Sequence, residues 1–236
     1  MVLAAGLGTR MQPITKTIPK PLVKVRNKAL IDHALDRLVE VGVIKVVINL
    51  HYMAESVRNH LKDRKDLEIV FSAENERLET GGGVLKALDL LGSLPFFVVN
   101  SDSLWLNGPT PALGRLASEQ FFDDLDGILL LHSTVDAYGY EGIGDFIAEP
   151  NGALARRPER QVSPWLFTGI QILHPRIFEN GPNGCFSLNL LYDKAIANGK
   201  LSGIIHDGEW FHIGTPPALE EAEFYLNQRY AGRKHR

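Results

Sequence analysis

The amino-acid sequence predicts an α/β fold class, a three-layer αβα sandwich built on a mixed, mainly parallel sheet. Short apolar runs alternate with helical patterns through the first half of the chain, as expected where helices connect parallel strands. Several runs lack polar residues at alternate positions, which is typical of a sheet covered on both faces. The predicted strands are residues 1–5, 45–50, 68–73, 96–100 and 127–132.

Two amphipathic helices are predicted between these strands, because apolar residues recur at positions i, i+3, i+4 and i+7. Gly42 and Gly92 follow the two patterns as stop signals. The apolar positions are Ile31, Ala34, Leu35 and Leu38 in the first helix and Val84, Ala87, Leu88 and Leu91 in the second.

After about residue 135 the pattern changes, and a small antiparallel lobe is predicted. Residues 145–149 and 153–157 flank Asn151-Gly152, a strong hairpin signal in which both turn positions need positive φ. A strand over 166–174, a helix over 188–195 and two short strands within 201–213 follow. Thr215 is expected to cap a last helix whose first residue is Pro216.

The composition favours a single domain with small-molecule partners. The chain has 236 residues and a formal net charge of -3, and no repeat or linker divides it. We therefore expect one domain over residues 1–236. Nucleic-acid binding is not expected, because that activity usually shows as a basic face. We expect a monomer or a small homo-oligomer.

The cysteine content and the apolar runs bear on the compartment. Cys185 is the only cysteine, which excludes a disulfide framework and a cysteine-based zinc site and fits a reduced, cytoplasmic setting. No run approaches the roughly 20 apolar residues that cross a bilayer, so no membrane partner is expected. The chain begins almost inside its first predicted strand, which indicates missing native residues before Met1 or a misplaced start codon.

A glycine-rich loop follows the first predicted strand. Gly6 and Gly8 place bare backbone amides at the carboxyl edge of the sheet, where phosphates can approach. Arg10 adds a cation that can fork onto a polyphosphate, and two prolines on either side of Lys20 aim its ammonium. The third glycine of a dinucleotide fingerprint is missing, since position 11 is Met11, and a Rossmann dehydrogenase is therefore disfavoured.

The stretch from Leu3 to Leu22 resembles the signature of sugar nucleotidyltransferases. That signature is an apolar strand, Ala-Gly-Gly-x-Gly-Thr-Arg or a variant, then Pro-x-Thr and Pro-Lys-Pro-Leu. Here Leu7 stands where many members have glycine or another residue, and about twenty residues match the string or its variants. The resemblance implies a Rossmann-like fold of the nucleotide-diphospho-sugar transferase type, with a nucleotide-binding half over about 1–135. The half over about 136–236 would bind the sugar and end in a C-terminal helix.

The resemblance also implies an activity and a set of nucleotide contacts. The protein would join a nucleoside triphosphate (NTP) to a sugar 1-phosphate with Mg2+ as cofactor, and release pyrophosphate. Arg10, Lys20 and Asp102 would be catalytic, with Lys20 touching the phosphates where charge develops. The implied nucleotide-binding residues are Ala5, Gly6, Gly8, Thr9, Arg10, Lys20, Asn49, Thr80 and Gly81.

A second glycine-rich segment, Glu79-Thr-Gly-Gly-Gly83, precedes the helix that carries Val84. Three glycines at a helix start let the backbone lie flat against a planar ligand, with amides available to a base or a phosphate. In the family a segment at this place helps to hold the nucleobase and ribose. The alternative is a flexible hinge. Asn49 and His51 end the second strand, where base or sugar contacts are possible, although His51 is equally well explained as a loop histidine.

Asp102 is the predicted metal ligand. It follows the apolar strand 96–100, and a carboxylate at the carboxyl end of a central strand faces the ligand crevice of an open α/β sheet. The alternative is a turn cap. Relatives carry a second aspartate in a late Trp-x-Asp-x-Gly-Thr motif, but here Trp210-Phe-His-Ile-Gly-Thr215 has His212 at that place. Imidazole is a poorer ligand for a hard cation, so three roles stay open for His212: metal ligand, phosphate contact or structural residue.

The sugar side carries weaker signals. Phe167-Thr168-Gly169-Ile170 resembles the family segment that lines the sugar pocket, although an ordinary bulged strand explains it nearly as well. The predicted substrate-binding residues are Asn100, Asp145, Thr168 and Gly169. The family's Glu-Lys-Pro motif is absent, because Glu149-Pro150 has no lysine. Arg156 or Arg157 is a candidate for the missing charge, and a solvated strand face is the alternative.

Among specific reactions, UTP with N-acetylmuramate 1-phosphate is favoured, which would place the protein in the recycling of cell-wall peptidoglycan sugar. The reasons are the short chain, the Glu-Thr-Gly-Gly-Gly segment and the absence of a trailing acyltransferase repeat. GTP with mannose 1-phosphate is the main alternative, followed by thymidylyl or uridylyl transfer to glucose 1-phosphate and by a choline- or lipid-precursor cytidylyltransferase. A non-catalytic nucleotide-sugar-binding regulatory homologue is an alternative of a different class.

Overall fold

The structure is a computed structural model that describes residues 1–118 and 124–231. The predicted domain over 1–236 therefore includes residues that lie outside these ranges. The strands are β1 Val2–Leu3, β2 Lys24–Val25, β3 Lys28–Ala29, β4 Lys45–Leu50, β5 Glu68–Ala73, β6 Phe96–Asn100, β7 Ser103–Leu106, β8 Gly127–Ser133, β9 Phe146–Ala148, β10 Leu154–Arg156, β11 Trp165–Leu173, β12 Leu201–Ile205 and β13 Glu209–His212. The α-helices are α1 Leu30–Glu40, α2 Ala54–Leu61, α3 Glu79–Lys86, α4 Leu88–Leu91, α5 Ala112–Ser118, α6 Asn189–Ala197 and α7 Pro216–Ala231.

The main sheet is mixed, as the sequence predicts. Its strands run in the order β10-β9-β11-β6-β1-β4-β5, and β8 pairs with β11 and β12. The strands β6, β1, β4 and β5 are parallel to one another, whereas β11 is antiparallel to both β6 and β8. The carboxyl ends of β6, β1 and β4 therefore meet at one edge of the sheet.

Helices cover both faces of this sheet, which confirms the three-layer architecture. Along β4, Val46 and Ile48 pack into the same core as Ile31 of α1, whereas Val47 packs into the opposite core with Val84 of α3. All of β4 except Lys45 is buried. Burying each such aliphatic side chain is worth roughly 1.5–3 kcal/mol, so the two-sided burial explains the unbroken apolar run.

The second predicted helix differs from its prediction. The chain turns at Ala87, which has φ -90° and ψ 0°, and the pattern is split into α3 and α4. Gly92 ends α4 with φ 88°, as its stop signal predicts. The helix also begins earlier than predicted, so that Gly81, Gly82 and Gly83 lie within α3 rather than before it.

The second half follows its predicted pattern closely. The strands β9 and β10 form the predicted antiparallel hairpin, although Gly152 has positive φ and Asn151 does not. Instead, the Asn151 side-chain oxygen accepts a hydrogen bond from the Ala153 amide at 3.0 Å. Thr215 Oγ1 accepts a hydrogen bond from the Ala218 amide at 3.4 Å, and Pro216 is the first residue of α7, as predicted.

A two-stranded ribbon brings the late motif beside the predicted metal ligand. The strand β13 is antiparallel to β7, and the register places His212 opposite Ser103, the residue that follows Asp102. None of the helices in the described ranges is long and apolar enough to span a bilayer.

Candidate active site

A cavity of about 360 Å³ opens at the carboxyl ends of β1, β4 and β6. This is the edge at which open α/β sheets bind ligands. The strand ends, the first loop and the start of α3 all contribute side chains to it. The lining residues are Leu3, Ala4, Ala5, Gly6, Lys20, Pro21, Asn49, Glu74, Arg77, Glu79, Thr80, Asn100, Ser101, Asp102 and Ser187. We call it the nucleotide cavity.

Lys20 and Asp102 meet in this cavity. Lys20 Nζ donates to Asp102 Oδ2 at 2.5 Å, with side chains 13% and 26% exposed. Burial alone would raise the pKa of the Asp102 carboxyl, but the Lys20 ammonium, with a smaller effect of His212, lowers it below its ordinary value. The carboxylate is therefore ionised at neutral pH, and its second oxygen is available to a ligand. The sequence predicts both side chains at this place.

The first loop shows which glycines the fold itself requires. A Cβ on Gly6, which lines the cavity, would have no atom of the described residues within 4 Å, so their packing leaves that position open. Gly8 has φ 64°, and a Cβ there would lie 3.0 Å from Thr15 Cγ2 and 3.1 Å from Lys20 Cβ. The Gly8 carbonyl accepts hydrogen bonds from Met11 N and from Thr15 Oγ1. Gly8 therefore sets the turn beside Lys20, whereas Gly6 keeps the backbone accessible.

Arg10 lies outside the nucleotide cavity, in a neighbouring cavity of about 340 Å³ that His212 and Tyr140 also line. Its side chain is exposed, as is that of Thr9. Within the described ranges, the Arg10 guanidinium forms no hydrogen bond or ion pair, and it is near enough to His212 to lower the pKa of the imidazole. The structure thus places Arg10 close to His212 but not among the residues that surround Gly6.

His212 is held by aromatic contacts. Its ring stacks on Trp210 at 5.8 Å and meets the edge of Tyr140 at 6.4 Å between centroids. Gly214 makes room for it, since a Cβ there would lie 2.3 Å from His212 Nε2. Burial lowers the pKa of His212, Lys20 and Arg10 lower it further, and Asp102 opposes them. The imidazole is therefore neutral at pH 7. The described residues contain no cluster of three or more His, Cys, Asp or Glu side chains arranged as metal ligands.

The second glycine-rich segment has a different function from the predicted one. The amides of Gly81 and Gly82 donate to the carbonyl of Phe186 at 2.8 and 3.1 Å, so the interpretation that leaves them free for a planar ligand is wrong. A Cβ on Gly81 would lie 2.3 Å from the Phe186 ring, and one on Gly82 would lie 2.0 Å from the Gly184 carbonyl oxygen. The glycines therefore admit residues 184–188, which we call the strap.

Thr80 connects the strap to the nucleotide cavity. Thr80 Oγ1 accepts a hydrogen bond from the Leu188 amide at 2.9 Å, while Thr80 and the strap residue Ser187 both line the cavity. The second half of the chain therefore supplies part of the cavity wall. Ser187 is not predictable from the sequence, because nothing local distinguishes it from an ordinary loop serine.

Asn49 and Glu74 form a buried pair at the ends of β4 and β5. Asn49 Oδ1 accepts from the Ala4 amide at 2.8 Å, and Asn49 Nδ2 donates to Glu74 Oε1 at 2.7 Å. The other Glu74 oxygen accepts from Leu78 N at 3.2 Å. Gly83 makes room for the pair, because a Cβ there would lie 2.8 Å from Glu74 Oε1. Asn49 thus lines the cavity, as its predicted position requires. Its side-chain amide, however, is already hydrogen-bonded to Ala4 and Glu74.

Glu74 is the main cavity residue that sequence analysis missed. It is 5% exposed and forms no ion pair with the described residues. Its place directly after β5, at the same edge as Asn49 and Asn100, was the available signal. His51, by contrast, is explained by its contact with the Glu74 carbonyl, where Nδ1 lies 2.9 Å from the oxygen. Arg77, Glu79 and Ser101 also line the cavity without having been predicted.

The predicted sugar-side residues divide into two groups. Asn100 lines the cavity, and Gly169, with φ 78°, lies against it: a Cβ on Gly169 would be 2.6 Å from Asn100 Nδ2. Thr168 is buried and its hydroxyl donates to the Leu130 carbonyl at 2.7 Å, so a free hydroxyl for the sugar was the wrong expectation. Asp145 Oδ2 accepts from the Phe167 amide at 2.8 Å and holds the bulge of β11. Neither Thr168 nor Asp145 lines the nucleotide cavity.

The arginines proposed for the missing lysine are also engaged elsewhere. Arg156 Nε pairs with Asp193 at 2.5 Å, and its guanidinium lies over the Phe146 ring at 4.7 Å. Arg157 donates to the carbonyls of Gly144, Pro158 and Gln161. The solvated or structural alternative therefore describes both residues better than a sugar-binding role.

The chain belongs to the nucleotidyl transferase family, whose model matches residues 1–229. It is 42% identical over 231 residues to the N-acetylmuramate alpha-1-phosphate uridylyltransferase of Caulobacter vibrioides, covering 96% of each chain. The protein of the same name from Neisseria meningitidis is 35% identical over 94% of this chain and 96% of its own length. The mannose-1-phosphate guanyltransferase of Schizosaccharomyces pombe is 30% identical over 92% of this chain and 61% of its own length.

Solved structures agree with the fold. A UDP-glucose pyrophosphorylase complexed with UDP-glucose superposes with a TM-score of 0.77 at 21% identity, covering 97% of both chains. At this identity the likeness concerns the fold alone. The family match and the relatives confirm the resemblance carried by the stretch from Leu3 to Leu22 and identify the protein as a nucleotidyltransferase.

Proposed function

We propose that this protein transfers the uridylyl group of UTP to N-acetylmuramate 1-phosphate, giving the UDP-sugar and pyrophosphate. The proposal is supported by the identities of 42% and 35%, over nearly the full length, to two relatives of that name. Such a reaction would serve the cytoplasmic reuse of cell-wall peptidoglycan sugar.

One observation carries the assignment of the site: the contact between Lys20 Nζ and Asp102 Oδ2 beside the open Gly6 backbone. In the proposed reaction a sugar phosphate oxygen bonds to the α-phosphorus, and the bond from that phosphorus to the pyrophosphate oxygen breaks. The attacking phosphate is already ionised near neutral pH, so no general base is required. Positioning and charge neutralisation then dominate catalysis.

The cations divide this work between them. Lys20, held beside Asp102, neutralises charge on the α-phosphoryl group. Arg10 has no protein partner among the described residues, so it is available to the leaving pyrophosphate in the neighbouring cavity. The amide of Gly6 lies against the phosphates because no side chain separates them.

The site offers Mg2+ one carboxylate ligand from the described residues rather than a complete set of protein ligands. Asp102 offers one ionised carboxylate, and Mg2+ is commonly bound by one or two carboxylates together with substrate phosphates. When bound, Mg2+ would supply positive charge to the nucleotide phosphates. His212 presents a neutral imidazole, a softer donor, and we assign it to phosphate or structural contact rather than to the metal.

Glu74 bears on the choice of base. Its buried carboxylate is a hydrogen-bond acceptor in the cavity wall, with Asn49 and Leu78 as its neutral partners. Uracil and guanine carry a ring N–H on the edge that such an acceptor recognises, whereas cytosine and adenine carry a ring acceptor there. The residue therefore supports UTP or GTP over CTP or ATP.

Mannose-1-phosphate guanylyl transfer is the second candidate, favoured by the Glu74 acceptor and the 30% identity to the Schizosaccharomyces pombe relative. Pyrophosphate release from four NTPs, each paired with N-acetylmuramate, mannose and glucose 1-phosphates, distinguishes the candidates, with Mg2+ and Mn2+ compared. UTP with N-acetylmuramate 1-phosphate is expected to give the highest kcat/KM. If no pair of substrates releases pyrophosphate, both enzymatic candidates are excluded and the remaining hypothesis is a non-catalytic regulatory homologue that binds nucleotide sugars.

A further inference from the structure

The loop between β1 and β2 carries Arg10 and Lys20, the two cations assigned to the reaction. It contains no strand and no α-helix, but only the short helical turns Thr9–Met11, Ile14–Lys16 and Lys20–Leu22. Met11 is fully buried, so apolar packing anchors the first of these turns. Packing is not directional, however, and the positions of the later turns depend on hydrogen bonds.

Within the described ranges, two hydrogen bonds connect residues 6–22 to the rest of the chain. One joins Lys20 to Asp102, the two catalytic groups themselves. The other is donated by the Tyr52 hydroxyl to the Thr15 carbonyl at 3.0 Å. Tyr52 lines neither the nucleotide cavity nor the neighbouring cavity, so it holds the loop from outside the site.

The backbone on either side of Tyr52 is itself fixed. The strand β4 ends at Leu50, and all of it except its first residue is buried. His51 Nδ1 lies 2.9 Å from the Glu74 carbonyl oxygen. Met53 then turns the chain into α2 with φ 48°, a left-handed conformation that is uncommon for a residue with a side chain. The Tyr52 hydroxyl therefore projects from a well-anchored part of the sheet edge.

Thr15 connects Tyr52 to Gly8 and Lys20. Thr15 is 2% exposed, and its Oγ1 donates to the Gly8 carbonyl at 2.7 Å. A Cβ built on Gly8 would lie 3.0 Å from Thr15 Cγ2 and 3.1 Å from Lys20 Cβ, so the three residues are packed together. A shift of Thr15 would therefore displace both the Gly8 turn and the base of the Lys20 side chain.

We propose that Tyr52 is a positioning residue for nucleotidyl transfer. Its hydroxyl fixes Thr15, and Thr15 fixes the Gly8 backbone against which Lys20 packs. The Lys20 ammonium is thereby held where the α-phosphoryl group reacts, and an error of about 1 Å in such a position can cost about 10²-fold in rate. Tyr52 itself touches no substrate. The proposal rests on the role proposed for Lys20 and adds a residue on which that role depends.

Tyr52→Phe removes only the hydroxyl. It is expected to lower kcat for pyrophosphate release about tenfold and to change KM for UTP less than about twofold, because Lys20 acts on charge that develops during transfer. The matched control is Tyr192→Phe, which loses a hydroxyl hydrogen bond to Gln171 Oε1 at 2.6 Å in a residue that lines neither cavity. Its kcat is expected to equal that of wild type at a temperature where both proteins are folded.

A double-mutant cycle separates positioning from a general loss of stability. When Lys20→Ala has already removed the ammonium, Tyr52→Phe is expected to change kcat less than about twofold, because the group that it positions is absent. A loss of about tenfold in both backgrounds would overturn the proposal. An unchanged kcat in the single variant Tyr52→Phe would overturn it as well.

Trypsin cleavage after Lys16, measured without substrate, tests the loop itself. Lys16 is exposed on the turn that contains Thr15. Tyr52→Phe is expected to speed this cleavage at least about threefold, because cleavage follows local opening, whereas Tyr192→Phe is not. Unchanged cleavage in Tyr52→Phe overturns the proposal whether or not the protein is active. Absence of pyrophosphate release from the wild type with every substrate pair refutes the proposed function, and the cleavage result is independent of it.

Discussion

Lys20 Nζ and Asp102 Oδ2 lie 2.5 Å apart, joining a short helical turn near the amino end to the two-residue connection between β6 and β7. The pair places a cation and an ionised carboxylate in the same cavity, where neither is more than 26% exposed. Because both groups are fixed before any ligand binds, they can meet phosphate and metal charge without reorganisation.

Lys20→Ala is expected to lower kcat by about 10²–10³-fold, because one preorganised charge contact to the reacting group is removed. Pyrophosphate release measures the loss, and circular dichroism checks that the fold is intact. Lys16→Ala is the control, since Lys16 is exposed on a neighbouring turn. Activity of Lys20→Ala within twofold of wild type would refute the assigned role.

The stability contributed by Asp102 is expected to depend on pH. Its pKa is lower in the folded protein than the ordinary value of 3.8, so the pair stabilises the fold fully above that value. The contribution is lost as the pH falls through the lowered pKa. Urea unfolding of wild type and Asp102→Asn, compared between about pH 3 and 7, should therefore show a wild-type advantage that shrinks only at the acidic end. A constant difference would contradict the ion pair.

Gly6→Ala is expected to leave stability unchanged and to weaken nucleotide binding. The added Cβ has no protein atom within 4 Å but projects where the phosphates are proposed to lie. Thermal unfolding and calorimetric titration with UTP measure the two effects. Unaltered UTP affinity would show that the phosphates bind elsewhere.

Gly82→Ala is expected to destabilise the protein by about 1–3 kcal/mol, because the Cβ would lie 2.0 Å from the Gly184 carbonyl oxygen. Gly114→Ala in α5 is the control, since among the described residues its Cβ meets only Pro111 at 3.9 Å, and helix propensity favours alanine there by up to about 1 kcal/mol. Chemical denaturation compares them. Equal stabilities would argue against the close contact with the strap.

Glu74→Gln is expected to relax base selection. The carboxamide adds a donor that can meet the ring acceptor of cytosine, so kcat/KM for CTP relative to UTP should rise about tenfold. Glu76→Gln, an exposed neighbour, is the control. An unchanged ratio would exclude Glu74 from base recognition.

The sequence predicted the parts of the site that depend on local patterns. The strands β4, β5 and β6 were predicted with the observed bounds, and their parallel order places Asn49, Glu74 and Asn100 at one edge. The prolines around Lys20 and the position of Asp102 after a buried strand predicted each residue separately, whereas the ion pair between them is seen only in the structure.

Contacts between distant segments account for the errors. The glycines of Glu79-Thr-Gly-Gly-Gly83 looked like a ligand surface because their true partner, the strap, lies in the other half of the chain. Thr168 looked like a free hydroxyl because its acceptor, the Leu130 carbonyl, is on a neighbouring strand. Neither partner can be identified from spacing or composition.

The strap also constrains how this protein could recombine with its relatives. A chimaera joined near residue 135 would combine Gly81 and Gly82 from one parent with a foreign 184–188 segment. If the foreign segment placed its backbone differently or displaced the Phe186 carbonyl, the hydrogen bonds from the Gly81 and Gly82 amides would be lost. The first turn of α3 would then separate from the strap, and the cavity wall formed by Thr80 and Ser187 would be disrupted. Functional hybrids should therefore require both segments from the same parent, so that the two halves are inherited as one unit.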